Sequence, residues 1–215
     1  MSIYLIRHGE TALNRAQVVQ PADTPLGEHG IAQAEKLAAR LSDAGIREIV
    51  SSDLPRTRMT AAPLARAAGL AVTLDSNLQE RNFGDVRGTP YSELASKDIA
   101  LFAPGYEPPG GESWEAFHAR VDRAWGKVAG RARDIAGSGH LAVVTHGLVC
   151  HSIVARLVDL PEGLSAVEFG RDGPPIRFGN TALSILNEGA DAGFVVELFA
   201  CTAHLDDGST DGSVA

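Results

Sequence analysis

Ile3-Tyr4-Leu5-Ile6-Arg7-His8-Gly9-Glu10 and Leu141-Ala142-Val143-Val144-Thr145-His146-Gly147 are the two stretches whose reading decides the fold. Each is a short apolar run without alternation, the pattern of a strand buried on both faces, and each ends on a His-Gly pair. Between and around them the chain alternates. Gly30–Leu41 carries Ile31, Ala34, Leu37, Ala38 and Leu41 at helical spacing, and Gly45 closes that segment. Ile46–Val50 reads as the next strand, Pro55–Ala68 as a helix stopped by Gly69, and Ala71–Leu74 as a third strand. A long amphipathic helix is expected over Glu112–Ile135, then the strand Leu141–Val144 and a helix over Val149–Val158. Thr181–Leu186 and Phe194–Ala200 are two late β segments. Strand–helix alternation of this kind predicts an α/β fold, a three-layer α/β/α sandwich around a mostly parallel central sheet.

The 215 residues, 44% of them hydrophobic and 21% charged, suit one globular domain over residues 1–205. Residues 206–215 have no apolar periodicity and are expected to be a disordered tail. A formal net charge of −8 argues against a nucleic acid or an anionic membrane as the main partner. Of the 19 basic residues only Lys36, Lys97 and Lys127 are lysine. The arginine excess fits anion binding, and it also fits a compositional bias in an alanine-rich chain. Cys150 and Cys201 lie in apolar surroundings and are expected to be buried, reduced thiols. No secretory signal or membrane-length apolar run is visible, so a cytoplasmic setting is expected.

In a parallel sheet, ligands gather at the carboxyl ends of the strands, where His8 and His146 both fall. A lone histidine after a strand is unremarkable, but two His-Gly pairs in equivalent places point to one site. The glycines let backbone N–H groups approach an anion closely. A metal centre is not indicated, because the seven histidines form no HxH or HExxH pattern and no cysteine stands at ligand spacing. No GxSxG elbow supports a serine nucleophile. His118, His140, His151 and His204 read as ordinary surface or helix residues.

The blocks Leu5 to Thr11 with Asn14, Pro25-Leu26-Gly27 to Gln33-Ala34, and Ser51 to Ala61 follow one another in order. They continue with Leu78-Gln79-Glu80-Arg81, Gly84 and Gly88, then Gly110 to Ser113, Thr145-His146-Gly147, Asn180-Thr181 and Ala203-His204-Leu205. This ordered set resembles the histidine phosphatase superfamily, the phosphoglycerate mutase-like proteins. The resemblance implies that fold, no cofactor, and a small-molecule phosphomonoester as substrate. It implies His8 as nucleophile, Glu80 as general acid, and Arg7, Asn14, Arg56 and His146 around the phosphoryl oxygens, with Thr11 and Gly147 contributing. Arg56 rather than Arg58 takes the phosphate role by its place after Leu54-Pro55. A homodimer is left open.

Mutase and phosphatase share this core. The mutase pattern has a tyrosine two residues after the Glu-Arg pair and a lysine further on, where this chain has Phe83 and Tyr91. The mutase lid carries paired arginines, whereas Lys97–Glu112 contains none. Its lid, Phe102–Gly111, is apolar and rich in Pro and Gly, so the phosphatase branch is the expectation, with a substrate pocket drawn from Arg81, Phe83, Phe102 and Glu112. A cofactor-dependent phosphoglycerate mutase and a non-catalytic phospholigand binder are the alternatives.

Overall fold

The structure, a computed structural model, describes residues 1–159, 178–189, 191 and 193–206. Its strands are β1 (Ser2–Arg7), β2 (Ile46–Ser51), β3 (Val72–Leu74), β4 (His140–Thr145), β5 (Leu183–Glu188) and β6 (Phe194–Cys201). They form one sheet in the order β3-β2-β4-β1-β5-β6. β1, β2, β3 and β4 are parallel, and only β5 runs antiparallel to its two neighbours. The helices are α1 (Ala12–Arg15), α2 (Glu28–Arg40), α3 (Pro55–Ala68), α4 (Tyr91–Ser96), α5 (Trp114–Asp134) and α6 (Gly147–Arg156).

The unbroken apolar strands are explained by burial on both sides. Ile3, Leu5, Leu141 and Val143 pack with Phe117, Val121, Val149 and Ile153 of α5 and α6. The intervening Ile6, Ala142 and Val144 pack with Leu37, Leu41, Ala61 and Leu64 of α2 and α3. Successive side chains therefore serve opposite layers, which gives the α/β/α sandwich. A smaller cluster of Val19, Phe83, Leu94 and Leu101 supports the loop that follows α4.

The long helices and the sheet lie where the periodicity places them, with ends shifted by at most two residues. α1 and α4 are too short to show a period, and the sequence reading has neither. Cys150 is buried as expected, but Cys201 is half-exposed at the end of an edge strand, where the Arg40 guanidinium lies against its Sγ at 3.3 Å. Of the tail expected over residues 206–215, residues 207–215 lie outside the described residues. No helix among the described residues is long and apolar enough to cross a membrane.

One close contact joins the fold to the loop after β1. A Cβ on Gly30 would stand 2.0 Å from the Glu10 carbonyl oxygen, and one on Gly9 would stand 2.6 Å from the Gly30 oxygen. The first turn of α2 is thus seated directly on the backbone that follows His8. Gly126, in the middle of α5, has nothing within 4 Å of its Cβ position. Gly30→Ala should cost about 1–3 kcal/mol, the usual cost of overpacking. Gly126→Ala should gain up to about 1 kcal/mol through helix propensity alone. Urea unfolding of the two variants checks the pair, and a neutral Gly30→Ala would overturn the seating described.

Candidate active site

Strand register brings the two histidines together. β1 pairs with β4 so that Arg7 faces Thr145, and the His8 N–H continues the ladder by donating to the Thr145 carbonyl at 2.9 Å. β2 pairs on the other side of β4, and the Ser52 N–H donates to the Val144 carbonyl at 3.0 Å. His8, His146 and Ser52 thereby emerge at one edge of three adjacent strands. The two imidazole centroids are 5.3 Å apart, edge to face.

The His8 ring is almost wholly buried, and its Nδ1 lies 2.7 Å from the Gly9 carbonyl oxygen. A carbonyl can only accept, so Nδ1 carries the proton and Nε2 is left with its lone pair. Burial, reinforced by the charges of Arg7 and Arg56, holds this imidazole well below its ordinary pKa. The ring is therefore neutral at physiological pH. Its backbone is clamped as well: the His8 carbonyl accepts from the Thr181 N–H and from Asn180 Nδ2, both at 3.2 Å. His146 is fully buried, pairs through Nε2 with Ser52 Oγ at 3.0 Å, and leaves Nδ1 buried without a partner. Burial, then Arg56 and His8, push its pKa down too.

Arg56 and Arg7 place positive charge beside the histidines, and Arg87 lies close enough to Arg56 to act on it. Arg56, only 2% exposed in the first turn of α3, donates through Nη1 to the Pro21 and Ala22 carbonyls at 3.2 and 3.4 Å. Burial pushes its pKa down to about 10, with Glu80 opposing, so it stays charged. Arg7 donates through Nη1 to the Phe178 carbonyl. The Nε atoms of both are buried and make no hydrogen bond. Gly147, the first residue of α6, lies beside Arg7, its Cβ position 3.6 Å from that Nε. Unpartnered buried donors are costly in an empty site, and they suit one that an anion fills.

Glu80 faces this charge from the far side. Its Oε1 accepts from the Arg81 N–H at 3.0 Å and its Oε2 from the Leu148 N–H at 3.2 Å, in the first turn of α6. Desolvation of the carboxylate pushes its pKa above the ordinary value, against the pull of those amides and of Arg56 and Arg7. A carboxyl raised in this way can hold a proton in a site whose histidines do not.

The other expected residues divide. Asn14 engages its carboxamide oxygen with the Thr11 N–H and Asn180 Nδ2, leaving its NH2 group available. Thr11, expected to touch phosphate, instead caps α1: its hydroxyl accepts from the Asn14 N–H and donates to Gln20 Oε1, each at 3.0 Å. Arg58 is exposed on α3, away from Arg56. Arg81 and Glu112, expected in the substrate pocket, are committed elsewhere. The Arg81 guanidinium is buried, donates to the Leu101, Tyr106 and Glu112 carbonyls, and lies 3.9 Å over the Trp114 ring. Glu112 pairs with Arg120 at 2.8 Å. Of that set, Phe83 is buried and Phe102 is exposed.

Sequence reasoning gave no role to Ser52, Gln20 or Arg120. Arg120 reads as one more charge on an amphipathic helix, yet it donates to the Asn77 and Gln79 carbonyls at 2.8 Å and to the Glu80 carbonyl at 3.3 Å. It therefore fixes the segment that carries Glu80, a role no spacing within α5 could show.

The whole chain compares well with known proteins. A probable phosphoglycerate mutase from Yersinia pestis (strain Pestoides F) is 33% identical over 217 aligned residues, covering 96% of this chain and 95% of that protein. A mycobacterial glucosyl-3-phosphoglycerate phosphatase, solved with vanadate, superposes with a TM-score of 0.78 at 25% identity, over 93% of this chain and 98% of that one. A phosphoglycerate mutase from Bacillus anthracis str. Sterne superposes at 0.79 with 23% identity, over 97% and 96% of the two chains. The model of the histidine phosphatase superfamily, branch 1, matches residues 3–201. With its two strand-end histidines and the arginines beside them, this chain belongs to the histidine phosphatase superfamily.

Proposed function

We propose that the protein is a metal-independent phosphomonoesterase that works through a phosphohistidine on His8. The observation that carries this reading is the state of His8, a neutral imidazole with Nε2 free beside two arginines whose Nε donors are unfilled. Nε2 attacks phosphorus, the P–O bond to the alcohol breaks, and the proton held by Glu80 passes to the departing alkoxide. Water then attacks the phosphohistidine, returns a proton to Glu80, and the P–N bond breaks to release inorganic phosphate. Arg7, Arg56 and His146 stabilise the equatorial oxygens in both steps, which is most of what phosphoryl transfer requires. The neighbouring phosphatase whose structure holds vanadate, a mimic of that geometry, supports the assignment.

The second reading is a cofactor-dependent phosphoglycerate mutase, favoured by the name of the Yersinia relative. A mutase must also bind a carboxylate beside Glu80. Here Phe83 and Tyr91 stand at the relevant positions, residues 97–112 bring no arginine, and Arg81 is spent on backbone carbonyls. Isomerisation of 3-phosphoglycerate dependent on a bisphosphoglycerate primer would establish the mutase.

His8→Ala should lower turnover by at least about 10³-fold, since no other group can take its place as nucleophile. Acid-quenched wild-type enzyme should carry one phosphoryl group, mapped to His8 by mass spectrometry. Absence of that adduct during turnover would overturn the mechanism. Activity should be unchanged in EDTA, because arginines supply the charge. Loss on chelation with recovery on adding Mg²⁺ or Zn²⁺ would place the reaction in another class.

The pH profile follows from the two shifts. His8 must be neutral and its pKa is depressed, so activity persists into mildly acidic solution and falls only as His8 protonates. Glu80 must be protonated and its pKa is raised, so activity falls on the alkaline side as it ionises. Glu80→Gln should cost about 10²–10⁴-fold in kcat/KM on an alkyl phosphate and remove the alkaline limb. It should cost far less on p-nitrophenyl phosphate, whose leaving group needs no proton. An alkaline limb that survives in the variant belongs to another group.

A further inference from the structure

Resting on the phosphomonoesterase reading, we propose that Phe102 and Tyr91 form a platform for a planar, aromatic or heteroaromatic leaving group on the substrate. Both are exposed, at 43% and 39%, and they are two of only four large hydrophobic side chains so exposed among the described residues. The other two, Ile31 and Leu74, stand apart on α2 and β3. The Phe102 and Tyr91 rings lie 6.1 Å apart, and Phe102 meets the buried Phe83 edge to face at 6.2 Å. Such spacings are those of interacting aromatic pairs.

The platform is continuous with the leaving-group side of the site. Phe83 follows Glu80 by three residues and packs with Leu101 in a cluster that Leu148 also joins. The Leu148 N–H is the one that holds Glu80 Oε2. An apolar wall therefore runs from the carboxyl that protonates the leaving alcohol out to Phe102. Tyr91 closes the other flank: its backbone N–H donates to the Gln17 carbonyl at 2.9 Å, in the segment that follows His8 and Asn14.

The loop is held so that Phe102 faces outward. Leu101 is buried and its carbonyl accepts from Arg81, and the Ala103 carbonyl accepts from Trp114 Nε1 at 2.9 Å. With the residues on either side fixed from below, the ring between them stands at the surface. Exposed aromatic area costs free energy in water, and a grouped pair beside a phosphate site marks a ligand contact.

Phosphonates test this without turnover. Calorimetry on the wild-type protein should show 2-phenylethylphosphonate and benzylphosphonate binding about tenfold or more tightly than ethylphosphonate, the factor expected for burying and stacking one ring. Phe102→Ala and Tyr91→Ala should each remove most of that preference, and Phe102→Trp should keep it. Inorganic phosphate, too small to reach the rings, should bind wild type and variants alike, and thermal unfolding confirms that the variants are folded. Equal affinity for aryl and alkyl phosphonates, or a preference that survives in both alanine variants, would overturn the platform. Aryl selectivity in a protein that forms no phosphoenzyme with any monoester would instead overturn the phosphatase reading and leave the platform standing.

Discussion

Two arginine side chains beside His8, each with a buried Nε that makes no hydrogen bond, are the constraint on which the rest of the structure turns. A buried guanidinium is tolerated only where carbonyls or an anion take its hydrogens. Phe178, Pro21 and Ala22 supply carbonyls for part of that demand. The Nε donors remain without a protein partner, and both charges act on His8. Burial, reinforced by the same positive field, keeps His8 and His146 unprotonated, so the charge that would bind a phosphoryl group also helps prepare the imidazole that would attack it.

Glu80 opposes this field at a distance set by other arginines. Arg120 ties the carbonyls of residues 77, 79 and 80 to α5, and α6 offers the Leu148 amide to the carboxylate. Arg81, next in the chain, turns away from the site and anchors the loop after α4 through three carbonyls and the Trp114 face. The excess of arginine over lysine thus has a structural use. Its planar fork satisfies several carbonyls at once in a buried setting, which a lysine ammonium does poorly. Four arginines do this work here, two toward the site and two toward the scaffold behind it.

Rigidity is distributed in the same sense. The backbone after His8 is clamped by the first turn of α2 at Gly30, by Asn180 and Thr181, and by the capping box that joins Thr11 to Asn14. A functional side chain on a loop is normally less precisely placed than one on a strand. Here the loop has so many fixed neighbours that its first residues behave as an extension of β1.

The sequence by itself determined the layers, the strand ends and the meeting of the two histidines at one sheet edge. Unalternating apolar runs can be buried only in a covered sheet, and a His-Gly pair directly after such a run can lie only at its carboxyl edge. The family resemblance singled out Arg56 over Arg58, and the fold buries the first and leaves the second exposed, as residues two apart on a helix take different faces. What tertiary structure alone decided is where hydrogen-bonding capacity is spent. Thr11 caps a helix too short to have a period, Arg81 leaves the pocket for the carbonyls of a loop twenty residues on, and Arg120 reaches forty residues back to hold Glu80. These are long-range matches between donors and backbone acceptors. Every residue offers the same backbone acceptor, so local pattern carries no mark of which carbonyl a distant guanidinium will find.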